Sequence, residues 1–116
     1  MDLQVLELLR EDGTSPFAQW FDRLDAVAAA KVTTAIVRMR QGNLSKVKWF
    51  EGMGEFRIDW GPGYRIYLAK DGLEVVLLLG GGTKKGQQKD IGRALALWTD
   101  YKRRKQARRN KDERRE

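Results

Sequence analysis

From Glu55 to Leu79 the chain runs through three strand patterns joined by short turns, and that series limits the fold more than any other stretch. Glu55-Phe56-Arg57-Ile58-Asp59-Trp60 alternates with the two-residue period of a β-strand. Phe56, Ile58 and Trp60 fall on one face, and Glu55, Arg57 and Asp59 on the other. Gly61-Pro62-Gly63 supplies a turn that needs unusual backbone angles. Tyr64 to Leu68 then returns antiparallel, with Tyr64, Ile66 and Leu68 on one face and Arg65 and Tyr67 on the other. Lys70-Asp71-Gly72 is a hairpin signal, and the almost wholly apolar run Leu73 to Leu79 reads as a central strand covered on both sides. In this reading Gly80-Gly81-Gly82 ends that strand. It also lets the backbone approach a ligand or the following helix closely.

The flanking segments supply the layers around this sheet. Leu3, Val5, Glu7 and Leu9 alternate as a first strand, with a short helix as the alternative. Ser15-Pro16 is a helix start, since serine can cap free amides and proline is tolerated only in the first turn. Phe17, Trp20, Phe21 and Leu24 then recur at helical spacing. Asp25 caps a second helix from Ala26 to Arg40, which Gly42 and Asn43 end, and the two helices form a hairpin packed on the sheet. Lys46 to Glu51 makes a short strand or its approach, with Gly52 and Gly54 as turn residues. After Thr83-Lys84-Lys85-Gly86, the spacing of Ile91, Leu95, Trp98 and Tyr101 predicts a last helix. The expected class is α+β, with a twisted antiparallel sheet against an N-terminal helical hairpin and a C-terminal helix.

A chain of 116 residues has room for one such domain, placed at 1–101, with a basic C-terminal tail at 102–116. The tail holds nine Lys or Arg against three Asp or Glu, so it carries +6 of the +7 net charge and leaves +1 for the rest. A tail of this kind reads as a solvated helix extension or a frayed end, and it adds salt-dependent, sequence-blind affinity for nucleic acid. The absence of cysteine and histidine removes disulfides, thiolate and imidazole metal sites, and catalysis by Ser-His or Cys-His pairs. The acidic start MDLQVLELLRED lacks the order of a signal peptide, and no apolar run approaches the roughly 20 residues of a membrane span. A cytoplasmic protein is expected.

Two familiar sites fail on their residues. The glycine run continues into Gly86-Gln87 where a P-loop needs Gly-Lys-Ser/Thr. Glu55 and Asp59 share a strand face with arginines beside them, which points to salt bridges with Arg57 or Arg65 rather than a metal site. A cluster of cations with aromatics remains. Cleavage of RNA by its own 2′-oxygen needs a proton removed from that oxygen, charge stabilised on the phosphate, and a proton given to the leaving oxygen. Arg57 and Arg65 suit bidentate phosphate binding. Lys84 or Lys85 offers a proton-transfer group, and Tyr67 a ring to orient or stack a base. Lys46 and Lys48 add further cations for the RNA backbone. No cofactor and no metal is expected.

The order of a strand, two helices, EFRID, GPGYRIY, a DG turn, VVLLL, GGGTK and QQKDIGRA resembles the RelE/ParE superfamily of type II toxin-antitoxin toxins. Within it, the chain is most similar to the HigB-like addiction module killer proteins, over about residues 3–103. The resemblance implies the compact α+β fold of those toxins. It also implies a ribosome-dependent endoribonuclease that cuts mRNA in the ribosomal A site, silenced by a cognate antitoxin of the helix-turn-helix type. By position, Arg65 of YRIY matches the family's strand arginine, Lys85 falls near the basic residue after the last strand, and Arg57 near the basic residue on the preceding strand. The family's C-terminal tyrosine would fall near Ile91, Tyr101 lies too far along to replace it, and the histidines of other HigB toxins are absent. A ParE-like inhibitor of DNA gyrase and a non-enzymatic basic module that binds RNA or a partner are the alternatives.

Overall fold

Chain order in the computed structural model, which describes residues 1–114, is β1 (Gln4–Glu7), α1 (Pro16–Phe21), α2 (Ala26–Arg40), β2 (Val47–Phe50), β3 (Met53–Ile58), β4 (Tyr64–Asp71), β5 (Val75–Thr83) and α3 (Gln87–Glu113). Both predicted helix starts are in place. The Ser15 hydroxyl accepts from the Ala18 amide at 3.0 Å, and the Asp25 carboxylate from the Ala28 amide at 2.9 Å. Each satisfies an amide that has no partner inside its helix.

The five strands form one sheet in the order β1-β5-β4-β3-β2. Strands β2 to β5 make the antiparallel meander that the turn signals require. The sheet is mixed rather than wholly antiparallel, because β1 pairs parallel to β5, Gln4 with Val75 through Glu7 with Leu78. The reason is topological. The α1–α2 hairpin carries the chain across to the far edge, and four antiparallel strands bring it back beside its own start.

One face of the sheet is covered by α1 and α2. Phe17, Trp20, Val32, Ile36 and Met39 pack there against Phe56, Ile66, Leu68, Val76 and Leu78. The other face is covered by α3, whose Ala94, Leu97 and Trp98 meet Met53, Tyr67, Ala69, Leu77 and Leu79. The apolar run is therefore covered on both sides, as its composition requires. No helix among the described residues is long and apolar enough to cross a membrane.

Two glycine expectations are corrected. Gly54 lies inside β3, and the turn before it is the two-residue Glu51-Gly52 loop, with φ of 50° and 80°. That pair of positive angles matches the right-handed twist of a hairpin. Gly54 is needed because a Cβ there would stand 2.6 Å from Val47 Cγ1. The triplet Gly80-Gly81-Gly82 likewise does not end β5, which runs on to Thr83. A register irregularity at Tyr67/Leu68 sets Gly80 opposite Tyr67 and Leu78 opposite Leu68, leaving Leu79 as the extra residue. The shift turns Gly81 against the Trp20 ring and Gly82 against the Asp90 carboxylate. The close helix approach expected of these glycines is real, and it happens within the strand.

Candidate functional site

Cross-strand register brings most of the expected side chains together. Lys48, Glu55 and Tyr67 are directly paired along one row, and Arg57, Arg65 and Gly82 along the next row on the same face. This is the face that α3 covers, and the two rows lie toward the end of the sheet where α3 begins. The first turn of the helix closes over them. Gln87 Nε2 donates to Glu55 Oε1 at 3.2 Å.

Glu55 is the centre of the cluster. It is only 1% exposed and holds both arginines, Arg65 Nε at 2.9 Å from Oε1 and Arg57 Nε at 3.3 Å from Oε2. The two guanidiniums differ in their surroundings. The Arg65 side chain is 7% exposed and that of Arg57 45%. Arg65 also donates from its NH1 group to the Gly63 carbonyl at 2.8 Å, which ties it to the turn before β4. Its Nε lies close to Glu55 but is not aimed along a hydrogen bond. Arg65 is thus an internal member of an ion-pair network, and Arg57 is the guanidinium that presents charge to solvent. Of the salt bridges expected of Glu55 and Asp59, those of Glu55 are formed, to both arginines, whereas Asp59 pairs with neither.

Lys84 joins the same corner. Its amide donates to Gly63 O at 3.0 Å, the carbonyl that Arg65 also uses. Lys84, Lys85 and Lys89 then surround an exposed concavity of about 520 Å³ at the start of α3. The helix begins at Gly86 without a side-chain cap, so its first amides and these ammonium groups share one electropositive end. Asp90 in the first turn opposes this. Burial holds its carboxyl above the usual range, and Arg93 pulls it back down.

Two expected contacts are corrected. Tyr67 cannot stack a base, because its ring is completely buried beneath α3. Lys46 lies apart from Lys84 and Lys85, on the α2 side of the sheet, in an open groove of about 720 Å³ that it shares with Lys31, Arg38 and Arg57. Gln87 and Asp90 carry no motif that marks them in the sequence. Their only signal is position, in the first turn after a glycine run. Among the described residues no group of three or more His, Cys, Asp or Glu could hold a metal ion.

The Tyr67 hydroxyl is buried with no hydrogen-bond partner. Burial first, then the Glu55 and Asp90 carboxylates, push its pKa from 10.0 up to about 12. The folded chain therefore keeps this proton over a range where the unfolded chain has lost it, so stability falls as pH rises from about 10 to about 12. Tyr67→Phe should flatten that part of the alkaline stability curve. It should also be neutral or stabilising by about 1 kcal/mol at pH 7, since no bond is lost and an unsatisfied hydroxyl is removed. Urea melts at pH 7, 10 and 11.5 would check both.

No protein-family model matches the chain. It is 41% identical over 86 residues to an uncharacterized protein of Haemophilus influenzae, an alignment covering 72% of this chain and 87% of that one. The two belong to one family. Identity at this level over most of both chains carries the same α+β architecture to the relative.

Proposed function

We propose that the chain is the toxin of a type II toxin-antitoxin pair, with the RelE/ParE-like fold and HigB-like character that its sequence resembles. In this reading it blocks translation by metal-independent cleavage of mRNA on the ribosome. The observation carrying it is the pairing of exposed Arg57 with Arg65 on one sheet face, beside the loop that bears Lys84 and Lys85. The chemistry is divided by exposure. Arg57 accepts a phosphate bidentately, and Lys84 and Lys85 neutralise charge gathering on it and supply the proton-transfer group. Lys48, on the same face, extends the contact along the backbone. Arg65 and Glu55 act behind them, fixing where Arg57 points. A helix-turn-helix antitoxin would silence the toxin by covering this electropositive face.

Arg57→Ala tests the reading better than Arg65→Ala, because a buried ion pair is left intact. Loss of one preorganised cation should lower cleavage at least about 100-fold, and Arg57→Ala/Lys85→Ala should abolish growth arrest on expression while circular dichroism stays unchanged. Primer extension on ribosome-bound mRNA reads the cleavage directly. Persistent growth arrest in the double variant would sink the nuclease. Inhibited supercoiling with intact mRNA would move the assignment to a ParE-like gyrase inhibitor. One observation favours a non-enzymatic basic module: Glu55 already occupies both arginines. That reading predicts RNA binding without cleavage in the same assay.

A further inference from the structure

The domain ends in a cationic arm that the proposed site does not use. The last buried residue of α3 is Trp98, yet the helix runs on to Glu113, and the molecule measures 53 × 32 × 24 Å. Between residues 102 and 114 there are eight Lys or Arg against two acids, Asp112 and Glu113, and Ala107 is the sole apolar residue. The root of the arm is fixed. Tyr101 Oη and Lys105 Nζ each donate to the Asp71 carboxylate at 2.6 Å, and Arg104 donates to the Leu9 carbonyl at 3.2 Å. Past Lys105 the side chains make no hydrogen bond or ion pair to another element among the described residues.

The charge pattern of the arm works against the helix itself. Arg104 and Arg108 are four residues apart, as are Lys105 and Arg109, so like charges stack on adjacent ridges. Each such pair costs about 0.2–0.5 kcal/mol. Acids offset only part of this: Asp100 faces Arg103 and Arg104, and Asp112 and Glu113 stand four residues beyond Arg108 and Arg109, which leaves a charge of +6 between residues 102 and 114. Two concavities adjoin these ridges. One, of about 350 Å³, lies between the arm and the end of β4, where Lys70, Lys102, Lys105 and Arg109 surround Asp71; the other, of about 320 Å³, is formed by α3 alone and lined with Arg104, Lys105, Arg108, Arg109 and Asp112.

We propose that this cationic elbow is a second nucleic-acid contact, which grips the phosphate backbone of folded RNA at the opposite end of α3 from the Lys84–Lys85 loop. A rise of 1.5 Å per residue sets the two clusters roughly 30 Å apart on one rigid helix. Only an extended polyanion can span that. The arm has no apolar face to enter a membrane surface and no apolar anchor of the kind that dominates protein interfaces. Repeated, evenly spaced cations without either are the signature of backbone contact. The choice of RNA over DNA rests on the proposed function, whereas the phosphate grip does not.

The test is fluorescence anisotropy with a 20-base-pair RNA duplex, the matching DNA duplex and polyglutamate, between 50 and 200 mM salt. The proteins are the full chain, Arg108→Gln/Arg109→Gln and Arg57→Ala. The double arm variant should bind RNA about 10-fold more weakly and lose about 1–2 from the slope of log K against log salt, as two phosphate contacts disappear. Arg57→Ala should change that slope by less than one. An unchanged slope and affinity in the arm variant overturns the proposal, as does polyglutamate binding as tightly as RNA. DNA bound more tightly than RNA overturns the assignment to RNA. Because none of these readings involves cleavage, a failed nuclease assay leaves them intact. Far-ultraviolet circular dichroism of the arm variant, expected to match the parent, separates lost contacts from a melted helix.

Discussion

Glu55→Ala should destabilise the fold by about 3–5 kcal/mol, the usual cost of leaving a buried charge without its partner. The carboxylate it removes is 1% exposed. Its loss would strand Arg65, whose side chain is 7% exposed and whose Nε has no other close acceptor. Water cannot replace the lost partner without opening the start of α3, which Gln87 closes over the same carboxylate. Arg57 should matter far less, because at 45% exposure solvent screens it. The contrast that decides the point is Glu55→Leu/Arg65→Leu. Replacing both charges by apolar groups of similar size should recover most of the loss, since the desolvation cost of the pair disappears with it. Urea denaturation of the three variants at pH 7 gives the comparison. A cost below about 1 kcal/mol for Glu55→Ala would mean that the carboxylate is not the keystone of this face.

Gly81→Ala should be nearly as damaging, while Gly82→Ala should be mild. A methyl at Gly81 would fall within the ring of Trp20, which is wedged between Phe17 and Tyr64. Neither the strand nor the indole can give way, so overpacking of about 3 kcal/mol is expected. A methyl at Gly82 meets the carboxylate of Asp90, the far end of a side chain that can rotate aside. About 1 kcal/mol or less is expected there, with the Asp90 side chain turned away from β5. Thermal melts of the two variants should therefore differ by several degrees for a domain of this size. Equal melting temperatures would show that Trp20 can slide and that its wall is not rigid.

Much of the fold was legible because local chemistry and tertiary demand agree. Ser15 and Asp25 cap the helices they were expected to cap, and Arg57 and Arg65 take the polar strand faces that alternation gives them, where the register sets them opposite one another. The site was less legible, for a physical reason. Alternation says which face a side chain takes, but not whether another element covers that face. Their shared place on the polar face of β4 points to Tyr67 as a ring for a base and Arg65 as a phosphate clamp. Their fate was decided by α3, which buries one and leaves the other to Glu55. The glycine triplet misled in the same way. Gly80 to Gly82 look like a strand end locally, whereas their role is to let Trp20 and Asp90 close in on β5.

By itself the amino-acid order determined the strand and helix segments, the pairing of the meander and the cationic end of the last helix, because each depends on neighbours within a few residues. The tertiary structure alone decided the parallel docking of β1 beside β5 and the depth at which Glu55 holds Arg65. It also decided the separation of Lys46 from Lys84 and Lys85. Those outcomes depend on residues distant in the chain meeting in space, and on how much water their meeting excludes.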